Sequence, residues 1–131
     1  MIGLDTNVIV RYLAQDDPVQ SAAATEIFEE RLSREEPGFV ASVALCEVAW
    51  VLSRAYKASR EMVGNALEGL LGAAELVVEH REASERALSR FRTGAADFSD
   101  YLIGEIAKEA GAETTLSFDR KACRSDLFER A

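Results

Sequence analysis

Apolar residues along this chain fall into short runs and helix-spaced stripes that take turns, and this alternation outlines its elements. Residues 2–4 read as a short buried strand, followed by a helix over about 7–14. Asp16-Asp17-Pro18 starts a longer helix, to about residue 34, with Ala23, Ile27, Phe28 and Leu32 as its apolar stripe. Glu35-Glu36-Pro37-Gly38 breaks the pattern, residues 39–41 form a second strand, and Ser42 is placed to cap a helix running to about residue 55. Ser59 caps the next helix, where Met62, Val63, Ala66, Leu67, Leu70 and Leu71 repeat at helical spacing. A third strand is expected at 75–79, a helix at 82–92, and a flexible connection at 93–96. Residues 98–110 form another helix, ended by Gly111, residues 114–117 a fourth strand, and the tail one short helix near Lys121.

Strands alternating with helices predict an α/β protein whose sheet is mostly parallel and covered on both faces. At 131 residues the chain is most simply one domain spanning 1–131. No internal repeat or interdomain linker breaks it. In such sheets ligands bind beyond the carboxyl ends of the strands. Asp5 and Asp119 lie at strand ends, and Glu47 and Asp100 lie in the opening turns of helices expected to start from that same edge.

Glu47 is the only charged residue between Pro37 and Ser53. Its neighbours one turn away are Val43, Ala44, Trp50 and Val51, so it is expected to share a face with core residues. A carboxylate taken from water into apolar surroundings costs several kcal/mol unless it is compensated. Asp5, Asp100 and Asp119 also border apolar segments without basic partners beside them. Brought together, such acids repel one another unless a divalent cation sits between them.

Each acid has a plainer reading. Asp5 is a good helix cap, Asp100 sits where the helix dipole favours any acid, after Asp97 as cap, and Asp119 suits a turn. A salt bridge from Glu47 to a distant arginine is the competing reading there. The joint occurrence of four acids at one expected edge favours a metal site. Oxygen-only ligands suit Mg2+ or Mn2+, and phosphodiester hydrolysis is the chemistry such ions support without a nucleophilic side chain.

Other chemistries lack parts. His80 is the only histidine, which excludes a ribonuclease built on two imidazoles, and as the polar end of Leu-Val-Val-Glu-His it reads as a surface residue. The two cysteines, Cys46 and Cys123, show no CxxC spacing, and no phosphate-cradling glycine loop is present. Thr6 and Asn7 are placed to hydrogen-bond a ligating carboxylate, and Ser117 to do the same for Asp119. Arg120, Lys121 and Arg124 form a small basic cluster suited to phosphate contacts, with a solvated face as the alternative.

A hydrophobic share of 48% with 29% charged residues excludes the disordered class. The net charge of −8 argues against a broad basic surface for duplex nucleic acid, though acids gathered at a metal site count toward that total. The opening Met-Ile-Gly-Leu-Asp lacks a basic leader segment, and no run reaches about eighteen uncharged apolar residues. Neither export nor membrane insertion is indicated, and a reducing, cytoplasmic setting is expected.

Four segments in order carry a family resemblance: Gly3-Leu-Asp5-Thr-Asn7, Ser42-Val-Ala-Leu-Cys-Glu47-Val-Ala-Trp-Val-Leu52, Ala96-Asp-Phe-Ser-Asp100-Tyr-Leu-Ile103 and Leu116-Ser-Phe-Asp119-Arg120. Over nearly its whole length the chain resembles the PIN domain family and, within it, the VapC-type toxins of toxin–antitoxin systems. The resemblance implies a PIN-like three-layer α/β/α sandwich around a central, mostly parallel sheet of four to five short strands. It implies that Asp5, Glu47, Asp100 and Asp119 hold Mg2+ or Mn2+ and carry endoribonuclease catalysis, with Asp97 matching a frequent additional acid. Ser117 replaces the threonine often found there and keeps its hydroxyl. Arg120 and Lys121 would then contact the RNA substrate. A homodimer and a cognate antitoxin that blocks the site are implied by the resemblance alone. Two other readings stand beside this one: a PIN-like module that binds RNA or protein without cleavage, and a phosphatase using Asp5 as nucleophile. The latter usually wants a second acid two residues on, where this chain has Asn7.

Overall fold

Parallel strands joined by helical crossovers organise the N-terminal half. The structure, a computed structural model, describes residues 1–131 and falls into two compact units, Met1–Glu79 and His80–Ala131. In the first unit β1 (Ile2–Gly3), β2 (Gly38–Val40) and β3 (Leu76–Val78) pair in parallel in that order, with Gly3 opposite Phe39 and Phe39 opposite Val77. Parallel neighbours need long crossovers. These are supplied by α1 (Thr6–Ala14) and α2 (Pro18–Glu26), then by α3 (Ser42–Arg54) and α4 (Arg60–Gly72). The α/β class therefore follows from the alternation of apolar patterns, as expected.

Local chemistry explains the helix ends. Asp17 accepts hydrogen bonds from the Val19 and Gln20 amides at 3.0 and 2.8 Å, and Pro18 occupies the first helical position, where its missing N–H costs nothing. Tyr12 of α1 stacks on Phe28 at 4.1 Å between ring centres, which fixes the two segments together. The helix expected to reach residue 34 stops earlier. Beyond Glu26 it widens into a π-helical turn at Ile27–Arg31, where the Leu32 amide reaches back to the Ile27 carbonyl at 2.9 Å. That extra residue per turn keeps Phe28 and Leu32 buried while Ala23 faces outward.

Ser42 does not cap α3. Ala41 holds the cap position, and Ser42 is the first helical residue. Its amide instead donates to the Glu79 carboxylate at 2.9 Å, so the end of β3 supplies the cap. Ser59 does cap α4, accepting the Met62 amide at 3.2 Å.

The second unit packs α5 (Arg81–Thr93) against α6 (Phe98–Glu109), with Phe91 and Phe98 edge to face at 6.3 Å. Gly111, at φ 98°, takes the left-handed position after α6. Next come β4 (Thr115–Ser117), a 3-10 turn at Ala122–Arg124 and β5 (Phe128–Arg130). The last two strands pair in parallel, Leu116 opposite Glu129. The fifth strand escaped the pattern of apolar positions, because Phe128-Glu-Arg130 is brief and mostly charged. No helix of the chain is long and apolar enough to cross a membrane.

The buried acid of this protein is Glu105, not Glu47. Glu105 is 1% exposed and accepts from Arg86 Nε at 2.9 Å and Arg90 Nε at 3.0 Å, both from α5. Arg86 also bonds Glu109 at 2.7 Å, and Arg90 bonds Asp126 at 2.6 Å. The cost of burying a carboxylate is met here by two guanidinium groups rather than by a metal ion.

Candidate active site

In the first unit two candidate acids stand at the carboxyl edge of the sheet. Asp5 follows β1 directly and holds the cap position of α1, with extended φ −78° and ψ 155°, yet its side chain makes no cap hydrogen bond. The carboxylate is exposed and free of ion pairs, so a structural role as helix cap does not occupy it. Glu47 sits in the second turn of α3, which leaves the same edge after β2, and α1 packs against α3.

Glu47 is exposed, contrary to the expectation from its apolar neighbours. Helix α3 buries Ala44, Leu45, Val48, Ala49 and Leu52, while Val43 and Trp50 stand 70% and 58% exposed on the side that carries Glu47. The helix is apolar nearly all round, so apolar neighbours did not mark its inner face. The desolvation argument therefore does not apply to Glu47. It has no salt bridge either, so the distant-arginine alternative is not realised.

In the second unit Asp100 lies within electrostatic reach of Asp97 and Asp119. Asp97 takes the cap position of α6 and Asp100 the third position within it, where the Asp97 amide donates to Asp100 Oδ2 at 3.2 Å. Asp100 is half-buried, and its pKa is raised. Burial is the main cause, opposed by the Asp97 backbone hydrogen bond and reinforced by the negative charges of Asp119 and Asp97. Asp119 follows β4, and its Oδ1 accepts the Ala122 amide at 2.9 Å, which makes the expected turn and leaves a second oxygen over. None of the three acids is ion-paired.

The supporting residues divide. The Ser117 hydroxyl accepts the Asp119 amide at 3.0 Å, so it steadies the backbone of Asp119 rather than its carboxylate. The Thr6 hydroxyl, expected to bond a carboxylate, is buried and makes no hydrogen bond, while Asn7 is exposed. Arg120 and Lys121 are exposed and make no salt bridge. His80 stands on the surface in the left-handed region, φ 51°, with Nδ1 3.7 Å from Glu109. Sequence reasoning missed Glu79, whose carboxylate is at the same edge of the first unit but is engaged by Ser42. No periodicity signals such a role.

Donor chemistry fits a hard divalent cation: the candidates offer only carboxylate oxygens, none neutralised by a base, beside an unpartnered Thr6 hydroxyl. Within neither unit are three or more Asp, Glu, His or Cys side chains drawn in close enough to hold a metal ion.

Comparison with known proteins bears on the same segments. The PIN domain family profile matches residues 2–126. A curated relative named VapC ribonuclease, from Aquifex aeolicus (strain VF5), is 27% identical over 119 residues, covering 90% of this chain and 87% of its own length. The family match runs from the first strand past the 3-10 turn and includes every candidate acid, on a chain whose parallel strands and crossover helices fit the PIN-like α/β/α fold. The chain therefore belongs to the PIN domain family.

Proposed function

We propose that residues 1–131 act as a single PIN domain that hydrolyses RNA phosphodiester bonds internally with Mg2+ or Mn2+, as the toxin of a toxin–antitoxin pair. The observation that carries this reading is Asp100: a half-buried carboxyl beside Asp119 and Asp97, with its pKa raised and no base to neutralise it. Such a group is costly as an anion, and a divalent cation relieves that cost. Asp5 and Glu47, free of ion pairs at the carboxyl edge of the parallel sheet, complete the proposed set with Asp100 and Asp119. The name of the Aquifex relative supports RNA as the substrate.

A divalent cation held by these carboxylates would activate water and offset charge building on the phosphate. The chain's own residues do the rest. Asp97 aims Asp100 through its backbone amide, and Ser117 fixes the Asp119 turn. Arg120 and Lys121, directly after Asp119, supply charge for strand phosphates. Val43, Glu47 and Trp50 fall on one exposed face of α3, so a partner covering the apolar pair also covers Glu47. That placement supports an antitoxin that blocks the site. A homodimer and a cytoplasmic setting complete the proposal.

The second reading, an RNA- or protein-binding module without cleavage, draws on the absence of a close three-acid cluster in either unit. RNA cleavage separates the two. Products are expected with Mg2+ or Mn2+ and not with excess chelator or with Asp5→Asn. Persistence under both conditions rejects the metal mechanism, and retention of RNA without products under every condition favours the binding module. Growth arrest on expression, relieved by an adjacent small gene product, is the expected sign of the toxin role; harmless high-level expression argues against it.

A further inference from the structure

We propose that the second unit carries a separate contact for the RNA strand: a phosphate-binding cleft, centred on Arg124 and Arg90, that leads away from the Asp100–Asp119 pair. The identity of the strand as RNA rests on the functional reading above. The cleft is open, with a volume of about 540 Å3, and is lined by Arg90, Thr93, Tyr101, Arg124, Ser125 and Asp126, within the size range of small-molecule sites. Both walls continue segments that bear the acids. The loop after Thr93 runs into α6 at Asp97, and Tyr101 follows Asp100. On the other side the Asp119 carboxylate accepts the amide of Ala122, the first residue of the 3-10 turn that leads to Arg124, Ser125 and Asp126. A strand bound at the acids can thus continue toward the cleft.

The lining matches an anion. Arg90 is held in place, with Nε on the buried Glu105 at 3.0 Å and Nη1 on Ser125 Oγ at 3.2 Å and Asp126 Oδ1 at 2.6 Å. Asp126 sits on Arg90 as a phosphate oxygen would, and its side chain is 81% exposed. Arg90 is 29% exposed, so a phosphate reaching it competes with the Asp126 carboxylate for the same Nη1 donor. Arg124 is exposed and makes no hydrogen bond or ion pair through its side chain, which leaves its planar fork available for bidentate phosphate contact.

The wall is rigid rather than adaptable. A Cβ at Gly94 would collide with Tyr101 Oη and lie 2.8 Å from the Arg90 carbonyl, so the loop backbone lies directly on Tyr101. The Tyr101 hydroxyl accepts the Ala96 amide at 3.2 Å and fixes the loop from below. Donors held in place beforehand lose less entropy on binding. On a chain of net charge −8, an unneutralised arginine beside a preset one decides where an anionic strand can lie.

The test is equilibrium binding of a 2′-O-methyl RNA strand of about 12 nucleotides, with chelator present and the full chain, to wild type, Arg124→Ala, Arg124→Lys and Asp126→Asn. Arg124→Ala is expected to weaken binding several-fold and to flatten the slope of log affinity against log salt by about 0.7. Arg124→Lys should keep the slope, and Asp126→Asn, which removes the competing carboxylate, should tighten binding. Unchanged affinity in either Arg124→Ala or Asp126→Asn overturns the proposal. So does inorganic phosphate or polyglutamate competing as well as the strand, which would mark a free-anion or acidic-peptide site. Because no cation is present, a chain that binds as described but never cuts sinks the nuclease reading alone, while a chain that cuts with unaltered strand affinity in Arg124→Ala sinks the cleft alone.

Discussion

The Asp97 amide donates to the Asp100 carboxylate at 3.2 Å, so the acid at the heart of the proposed site is aimed by the residue that begins its own helix. Asp100→Asn keeps an oxygen for this bond and removes the charge that burial, Asp119 and Asp97 all oppose. For a carboxyl whose folded pKa is raised, the penalty is present above that value and is relieved as pH falls toward the unfolded one. In chelator at neutral pH, Asp100→Asn should therefore melt higher than wild type, with the gap closing in acid. RNA cleavage should fall at least about 100-fold, beyond what loss of a supporting hydrogen bond would cause. A variant that melts lower and still cuts would contradict this role.

Glu105 holds Arg86 and Arg90 at 2.9 and 3.0 Å while itself 1% exposed. Glu105→Ala leaves two guanidinium groups without their common anion. Removing one member of a buried pair costs about 3–5 kcal/mol, and since both arginines are partly exposed a loss of about 2–3 kcal/mol is expected after allowing for solvent screening. Urea denaturation measures it. A change under about 0.5 kcal/mol, the scale of an ordinary surface substitution, would mean that the ion triad contributes nothing.

Gly94 is required by space rather than by its backbone angles, since φ is −102°. Gly94→Ala pushes a methyl into Tyr101 and the Arg90 carbonyl. Overpacking of this kind costs about 1–3 kcal/mol, and Tyr101→Phe, which removes the nearest oxygen, should recover part of it in the double variant. Strict additivity of the two changes would contradict the contact.

Tyr56 donates to Asp16 Oδ2 at 2.6 Å, and Arg11 adds bonds at 3.1 and 3.2 Å. The Tyr56 bond is the leading cause that holds the Asp16 carboxyl below its ordinary value of 3.8. A depressed folded pKa gives stability that is present above 3.8 and lost as pH falls through the lower folded value. The melting difference between wild type and Tyr56→Phe should accordingly shrink below that pH. A difference constant into strong acid would show that the charge on Asp16 plays no part.

Element types were legible because apolar spacing and caps agree: Ser59 caps α4, Gly111 follows α6, and strands at 38–40, 76–78 and 115–117 lie within a residue or two of their expected places. Glu47 shows where such reading fails. On a helix that is apolar on every side, sequence spacing cannot choose the inner face, and packing set Glu47 outside with Val43 and Trp50. Glu105 was passed over inside the same kind of apolar run, since its arginines come from a different helix. The fifth strand and the Glu79 cap of Ser42 depend on long-range pairing, which leaves no periodic trace.

Titration with Mn2+, read by the loss of the free-ion electron paramagnetic resonance signal, tests most directly whether these carboxylates hold a divalent cation. Saturable binding by wild type, lost in Asp100→Asn and in Asp5→Asn while both remain folded, is the predicted result. Absence of binding by wild type, or equal binding by all three proteins, would contradict the account.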